Sequence, residues 1–305
     1  MPLILIALMS LTLLSGCGSD EEAPEEAATD QKAEVDSAAL AESSELKGGN
    51  SSKAVKDSLF QMPDTLNRFF EKYGVTGALI LFDPQKNQYF YHNSERSDEP
   101  FSPGDGFLPL LSLMALESGA LPDTATQLQW DGEASENEYW DRDQSLKEAL
   151  QNRTLWFFED LADKTGKKRI QYYLNRLEYG NRAAGTGKFW KNGKFKTNLQ
   201  DHIPLLRGIY REVLPFSPKN IDFIKRYAFQ HKKSEQYTLS TVKVLTEDGG
   251  QPKAWYSGYL IFSGEVPRGY YFTAFIDVEE GRKDPLGIAE AITIEVLKDA
   301  KLIPG

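Results

Sequence analysis

Asp105 and Leu108 lie one helical turn apart at the entrance to a long apolar stretch, PFSPGDGFLPLLSLMALESGAL, residues 100–121. An extended entry, a Pro/Gly turn and then a helix can hold a nucleophile with a base stacked one turn later. Neither group is present: the turn carries no serine, threonine or cysteine, and no lysine follows one turn on. An acyl group on Asp105 would be an anhydride, and no base stands ready to activate the carboxylate. Residue type and position instead predict a helix N-cap, with the carboxylate accepting free backbone N–H groups at the positive end of the dipole.

Serine-x-x-lysine occurs twice elsewhere, at Ser44/Lys47 and Ser240/Lys243. The first falls in a polar segment where nothing positions it. The second falls in a β-branched strand, where residues three apart point to opposite faces. His92, His202 and His231 show no metal-ligand spacing, so no zinc site and no cofactor is expected. Cys17, the only cysteine, excludes an intramolecular disulfide. It closes MPLILIALMSLTLLSGC, whose apolar run reads as a signal peptide over residues 1–16 and is short for a membrane span. No basic residue precedes the run, which points to a start codon upstream.

These residues need a scaffold. Residues 17–57 are rich in Glu, Ala, Ser and Gly without an aromatic, and predict an acidic flexible tether. Between Asp20 and Asp57 stand 11 Asp/Glu against 4 Lys, a net of −7 of the chain's −10, so residues 58–305 carry about −3. On that average neither part offers the basic face that nucleic acid requires, and no nucleic-acid partner is expected. The 305-residue chain has 17 Phe, 14 Tyr and 5 Trp, enough for one large core in residues 58–305. A helix over MPDTLNRFFEKYG precedes two strands, VTGALILFD and QYFYHN, joined by a hairpin. Residues 130–217 are helical. Three strands follow, within YTLSTVKVLT, KAWYSGYLIFS and GYYFTAFIDV, and the helix DPLGIAEAITIEVLKDAKLI closes the chain. The fold class expected is α+β: an antiparallel sheet flanked by terminal helices, with an all-helical lobe inserted between its halves.

That order, together with PFSPGDGFLPLLSLMALESGAL, QLQWDG, YWDRDQSLKEAL, LEYGN, FW and the closing helix, resembles the class D β-lactamases and the penicillin-binding transpeptidase-like superfamily. The resemblance implies a serine and, three residues on, a lysine whose amine or carbamate takes the serine proton. The positions fall on Asp105 and Leu108. A second motif, a serine on a helical-lobe turn, falls on Arg153-Thr154-Leu155, where Arg153 would pair with Asp105 across the cleft or be solvated. The third, lysine-threonine/serine-glycine on the strand edging the site, falls on Val242-Lys243-Val244. Here Lys243 matches only if the strand slips by one, and Val244 blocks the close approach that glycine permits. An arginine expected after it gives way to Asp248-Gly249-Gly250. Tyr179-Gly180-Asn181 matches the family's tyrosine-glycine-asparagine, in a turn that needs Gly180. Asp105, Arg153, Tyr179, Asn181 and Lys243 are thus the candidate cleft residues, with no intact catalytic set. Leu14-Ser15-Gly16-Cys17 resembles a lipobox, implying lipid attachment at Cys17, an extracytoplasmic position in the bacterial envelope and, in a Gram-negative cell, the outer membrane facing the periplasm.

Three functions are compatible with this reading. One is an inactive binding or regulatory module, contacting an envelope protein or a peptidoglycan-related ligand. Another is a β-lactamase or penicillin-binding hydrolase with an unrecognised nucleophile. The third is a structural envelope lipoprotein.

Overall fold

The computed structural model describes Phe60–Gln61 and Leu66–Gly305, apart from Glu136 and residues 247–250. The signal-peptide and tether expectations, Cys17 included, lie outside the described residues, as does Asp248-Gly249-Gly250.

Strand β1 (Phe60–Gln61) precedes helix α1 (Asn67–Lys72), the hairpin β2 (Gly77–Asp83) and β3 (Gln88–His92), and the short α2 (Ser94–Ser97). A 3₁₀ turn over Gly104–Phe107 leads into α3 (Leu108–Glu117). The helical lobe follows. A two-residue pair, β4 (Gln127–Leu128) and β5 (Gln144–Ser145), opens onto α4 (Leu146–Asn152), α5 (Leu155–Thr165) and α6 (Lys167–Leu177). Then come α7 (Phe189–Asn192), α8 (Leu199–Arg211) and α9 (Pro218–Tyr227). The chain returns through β6 (Gln230–Lys233), β7 (Tyr237–Thr246), β8 (Lys253–Phe262) and β9 (Arg268–Asp277), and ends in α10 (Pro285–Asp299).

The main sheet has seven strands in the order β1-β3-β2-β9-β8-β7-β6. It is antiparallel except at one edge, where β1 pairs with β3 in parallel. Side chains alternate between its faces, as the two-residue period of a strand dictates. In β8, Trp255 and Tyr259 face the helical lobe while Ala254, Tyr256 and Leu260 face α1 and α10; in β9, Tyr271 and Phe275 oppose Phe272, Ala274 and Ile276. Both faces are therefore covered, and β2 is buried along all seven residues. Full burial of an aromatic such as Trp255 or Phe275 contributes about 3 kcal/mol.

The parity of β7 decides where its residues point. Val244 belongs to the core on the lobe side and Leu239 to the core beneath α10, so Lys243, in step with Leu239, faces α10. A second device ties together the ends of the central strands β2, β9 and β8. Asp277, its side chain 9% exposed, accepts from Arg96 of α2, from Thr76 and from Lys253 Nζ at 3.1 Å, while Arg96 Nε donates to Glu99 at 2.9 Å.

Candidate functional site

The 3₁₀ turn sets the site. Gly104 has φ +52°, a conformation costly for residues with a Cβ. Gly106 approaches the sheet closely: a Cβ there would lie 2.9 Å from Trp255 Cζ3. Asp105 sits between them, inside the turn. The N-cap expectation is corrected here, because the turn moves the start of α3 two residues downstream, where Phe107 takes the cap position without a side-chain bond. The carboxylate of Asp105 instead faces Lys191 Nζ of α7 at 3.7 Å. Leu108, 3% exposed, is part of the core.

Arg153 ends α4 in the left-handed region (φ 53°, ψ 45°), its N–H bonded to the Ala149 carbonyl. Its guanidinium is neither paired with Asp105 nor left to solvent. It crosses the cleft and donates to the carbonyl of Lys243 on β7. Next to it, Thr154 is fully buried and donates to Gln144 Oε1 at 2.7 Å, locking the α4–α5 corner.

Lys243 contributes that carbonyl, not its amine. On the opposite face of the sheet its Nζ is paired with Glu290 of α10, which Lys232 also contacts at 2.8 Å. Burial alone would raise the Glu290 carboxyl, but the hydrogen bonds from Lys232 and Lys243 hold it below its ordinary value. The expectation that Lys243 offers its side chain to the cleft is thereby corrected. Val244, 1% exposed, packs toward the Gly104–Gly106 turn.

Tyr179 and Asn181 are likewise not cleft residues. The Tyr179 hydroxyl bonds His202 Nδ1 at 3.2 Å in the core, where burial pushes the imidazole down to about 3 and keeps it neutral at pH 7. Asn181 clamps two loop strands: Nδ2 donates to the Lys194 carbonyl at 2.6 Å, and Oδ1 accepts from the N–H of Lys196 at 3.1 Å. Between them Gly180 has φ +60°, and a Cβ there would meet the Lys196 carbonyl oxygen at 2.3 Å.

A cavity of about 280 Å³ lies between the lobe and β7, lined by Asp105, Leu108, Arg153, Arg226, Phe229 and Val242 among others. Its described lining includes neither serine nor cysteine, and its aliphatic hydroxyl, Thr241, shares the parity of Lys243. Two guanidiniums line it, Arg153 bonded to the Lys243 carbonyl and Arg226 paired with Asp222, and Asp105, Gln151 and Gln230 share the lining.

Two features escaped sequence reasoning. Trp190 is fully buried and stacks on Phe107 (centroids 6.2 Å), yet its indole N–H has no hydrogen-bond partner among the described residues. An unpaired buried donor costs about 1–3 kcal/mol, and it stands in the aromatic cluster directly behind Leu108. The other is His231. Its Nε2 meets the Lys225 carbonyl at 2.9 Å, which can only accept, so Nε2 carries the proton and Nδ1 accepts from Ser240 Oγ at 2.8 Å. The partner of Ser240 is thus an imidazole on the neighbouring edge strand, not Lys243. Ser240 is 2% exposed.

Known proteins agree with this geometry. Residues 77–202 match the family described as penicillin binding protein transpeptidase domain. The chain is 30% identical over 232 residues to the probable β-lactamase YbxI of Bacillus subtilis, covering 74% of this chain and 82% of that one. It is 24% identical to the regulatory protein BlaR1 of Bacillus licheniformis, covering 77% of this chain but only 39% of that regulator's length. The crystal structure of FUS-1, a class D β-lactamase from Fusobacterium nucleatum, superposes with a TM-score of 0.71 at 26% identity, covering 79% of this chain and 98% of that one. With its mixed sheet, inserted helical lobe and glycine-flanked turn entering a buried helix, the chain belongs to the class D β-lactamase and penicillin-binding transpeptidase-like superfamily.

Proposed function

We propose that this chain is a non-acylating member of the superfamily, a binding or regulatory module held in the bacterial envelope through a lipid on Cys17. The observation that carries the reading is the pair Asp105 and Leu108. A carboxylate facing a lysine and a buried leucine occupy the positions that resemble the family's nucleophile and base. Arg153 and Val244 support it by filling the cleft mouth and the strand edge. The likeness to BlaR1, named as a regulatory protein, supports the regulatory form of this reading. The ligand or partner class that fits the cavity is an anionic one, including a peptidoglycan-related fragment, held by Arg153 and Arg226. A purely structural role would leave that cavity without use.

Incubation of the purified protein with a penicillin, read by intact mass, tests the reading. The expected result is no penicilloyl adduct and no turnover of a chromogenic cephalosporin, including in Asp105→Ser, whose hydroxyl has no base beside it. A second reading, a hydrolase with a displaced nucleophile, is favoured by the Ser240–His231 pair, although Ser240 is buried. A stoichiometric adduct mapped to Ser240 or to a cleft residue would establish it and sink the first. Anchoring is read separately: Cys17→Ala is expected to leave the membrane fraction or to accumulate as precursor.

A further inference from the structure

Positive charge on this acidic chain is gathered in one place. Residues 164–196 hold ten Lys/Arg against one acidic residue, Glu178, a net of +9 in a chain of net −10. Lys167, Lys168, Arg169, Arg176, Arg182, Lys188 and Lys194 are all exposed. The fold gathers those of α6 with Arg182 and Lys194, while Lys188 pairs with Glu159 of α5 at 3.3 Å and Lys164 with Asp160 at 2.6 Å. Ile170, Tyr173 and Leu174 turn α6 inward, so Lys168, Tyr172 and Asn175 form its outward line, flanked by Arg169 and Arg176. Gln171 Nε2 donates to the Arg182 carbonyl, and Asn181 Nδ2 to the Lys194 carbonyl, which pins both loop cations beside the helix. The body-wide charge of about −3 thus averages over a local cationic facet.

Stability does not explain the arrangement. Lys167, Lys168 and Arg169 fill the first turn of α6, which has no acidic residue and no side-chain cap. The helix dipole favours the opposite sign at that end. At the middle of the facet Tyr172 is 55% exposed, its hydroxyl accepting from Arg176 at 3.1 Å. Exposed tyrosine among cations is the composition that partitions to a lipid headgroup layer. The facet is the outward arc of a helix with two loops. It offers a single exposed aromatic, where single-stranded nucleic acid uses a groove with stacking platforms.

We propose that this facet docks on an anionic phospholipid surface, fixing how the domain lies against the membrane. The proposal does not depend on the cleft being inert or on Cys17 carrying a lipid.

The test is flotation of the full chain carrying Cys17→Ala with vesicles of phosphatidylcholine alone, or with about one third phosphatidylglycerol. The ratio of the two partition coefficients cancels the contribution of the apolar N-terminus. The ratio is expected to favour the anionic vesicles and to collapse at about 0.5 M salt. The triple variant Lys167→Glu, Lys168→Glu, Arg169→Glu lowers it at least tenfold, since each cation contributes roughly fivefold. Its thermal midpoint holds or rises, because the dipole is then complemented. The glutamine triple at the same positions, closer to the native fold, lowers the ratio by a smaller step. Reversing three exposed lysines elsewhere, Lys233, Lys283 and Lys301, leaves the facet's share intact. Equal partition of the parent chain onto both vesicles overturns the proposal. So does a facet reversal no different from the control, or retention on immobilised heparin without any lipid preference.

Discussion

Arg153 joins two energetic terms that substitution can separate. Its backbone is left-handed at φ 53°, where a side chain with a Cβ costs about 1 kcal/mol relative to glycine. Its guanidinium donates to the Lys243 carbonyl from a half-buried position, a charge-assisted bond contributing about 1–2 kcal/mol after allowance for solvent. Arg153→Ala keeps the backbone cost and loses the bond, so it should destabilise by about 1–2 kcal/mol. Arg153→Gly loses the same bond but relieves the backbone, and should fall within about 1 kcal/mol of the parent. The glycine variant should therefore exceed the alanine variant by about 1 kcal/mol in urea unfolding at neutral pH, with unchanged m-values. Equal midpoints for Ala and Gly would refute the left-handed cap. If alanine matched the parent, the bond across the cleft would contribute nothing. Neither variant should gain a penicilloyl group, because opening the mouth restores neither a nucleophile nor a base.

Two other predictions concern the frame around the site. Asp277 is held down to about 2 from 3.8, burial being outweighed by its bonds to Arg96, Thr76 and Lys253. A carboxyl lowered on folding contributes stability that is complete above the unfolded value and lost as pH falls through the folded one. About 2 kcal/mol should disappear between roughly pH 4 and pH 2, and Asp277→Asn should lose that part of the slope in acid-unfolding titrations. Gly180→Ala forces a Cβ to within 2.3 Å of the Lys196 carbonyl at φ +60°, and should cost about 2 kcal/mol or more in thermal unfolding. A neutral result would mean that the loop carrying Asn181 and Lys194 relaxes freely.

Much of the frame could be read from residue patterns. The strands of residues 77–92 and 237–277 showed alternation or continuous β-branched and aromatic runs, and the closing helix had its proline start. What the patterns hid was local. GDG reads as a cap before a helix, but Gly104 and Gly106 allow a 3₁₀ turn that places Asp105 inside it. Lys243 could have been assigned from parity, since Leu239 and Val244 belong on opposite faces; attention to motif register obscured that. The partnership of Ser240 and His231 needs the edge strand β6, whose QHKK is exposed throughout and carries no hydrophobic signal. The cationic facet was countable in the sequence, but a charge averaged over 248 residues, 58–305, conceals a local excess.

The cross-cleft bond of Arg153 has a consequence for the history of such a protein. Each atom that an acylating cleft would call on now has other employment: the Lys243 carbonyl holds Arg153, the Lys243 amine holds Glu290, and Leu108 fills core. A lone lysine at 108 would replace a buried leucine with an amine, and a lone serine at 105 would release Lys191. Single substitutions toward the family's chemistry therefore lose contacts. On the proposed non-acylating reading, gaining acyl transfer at this cleft needs several simultaneous changes rather than one.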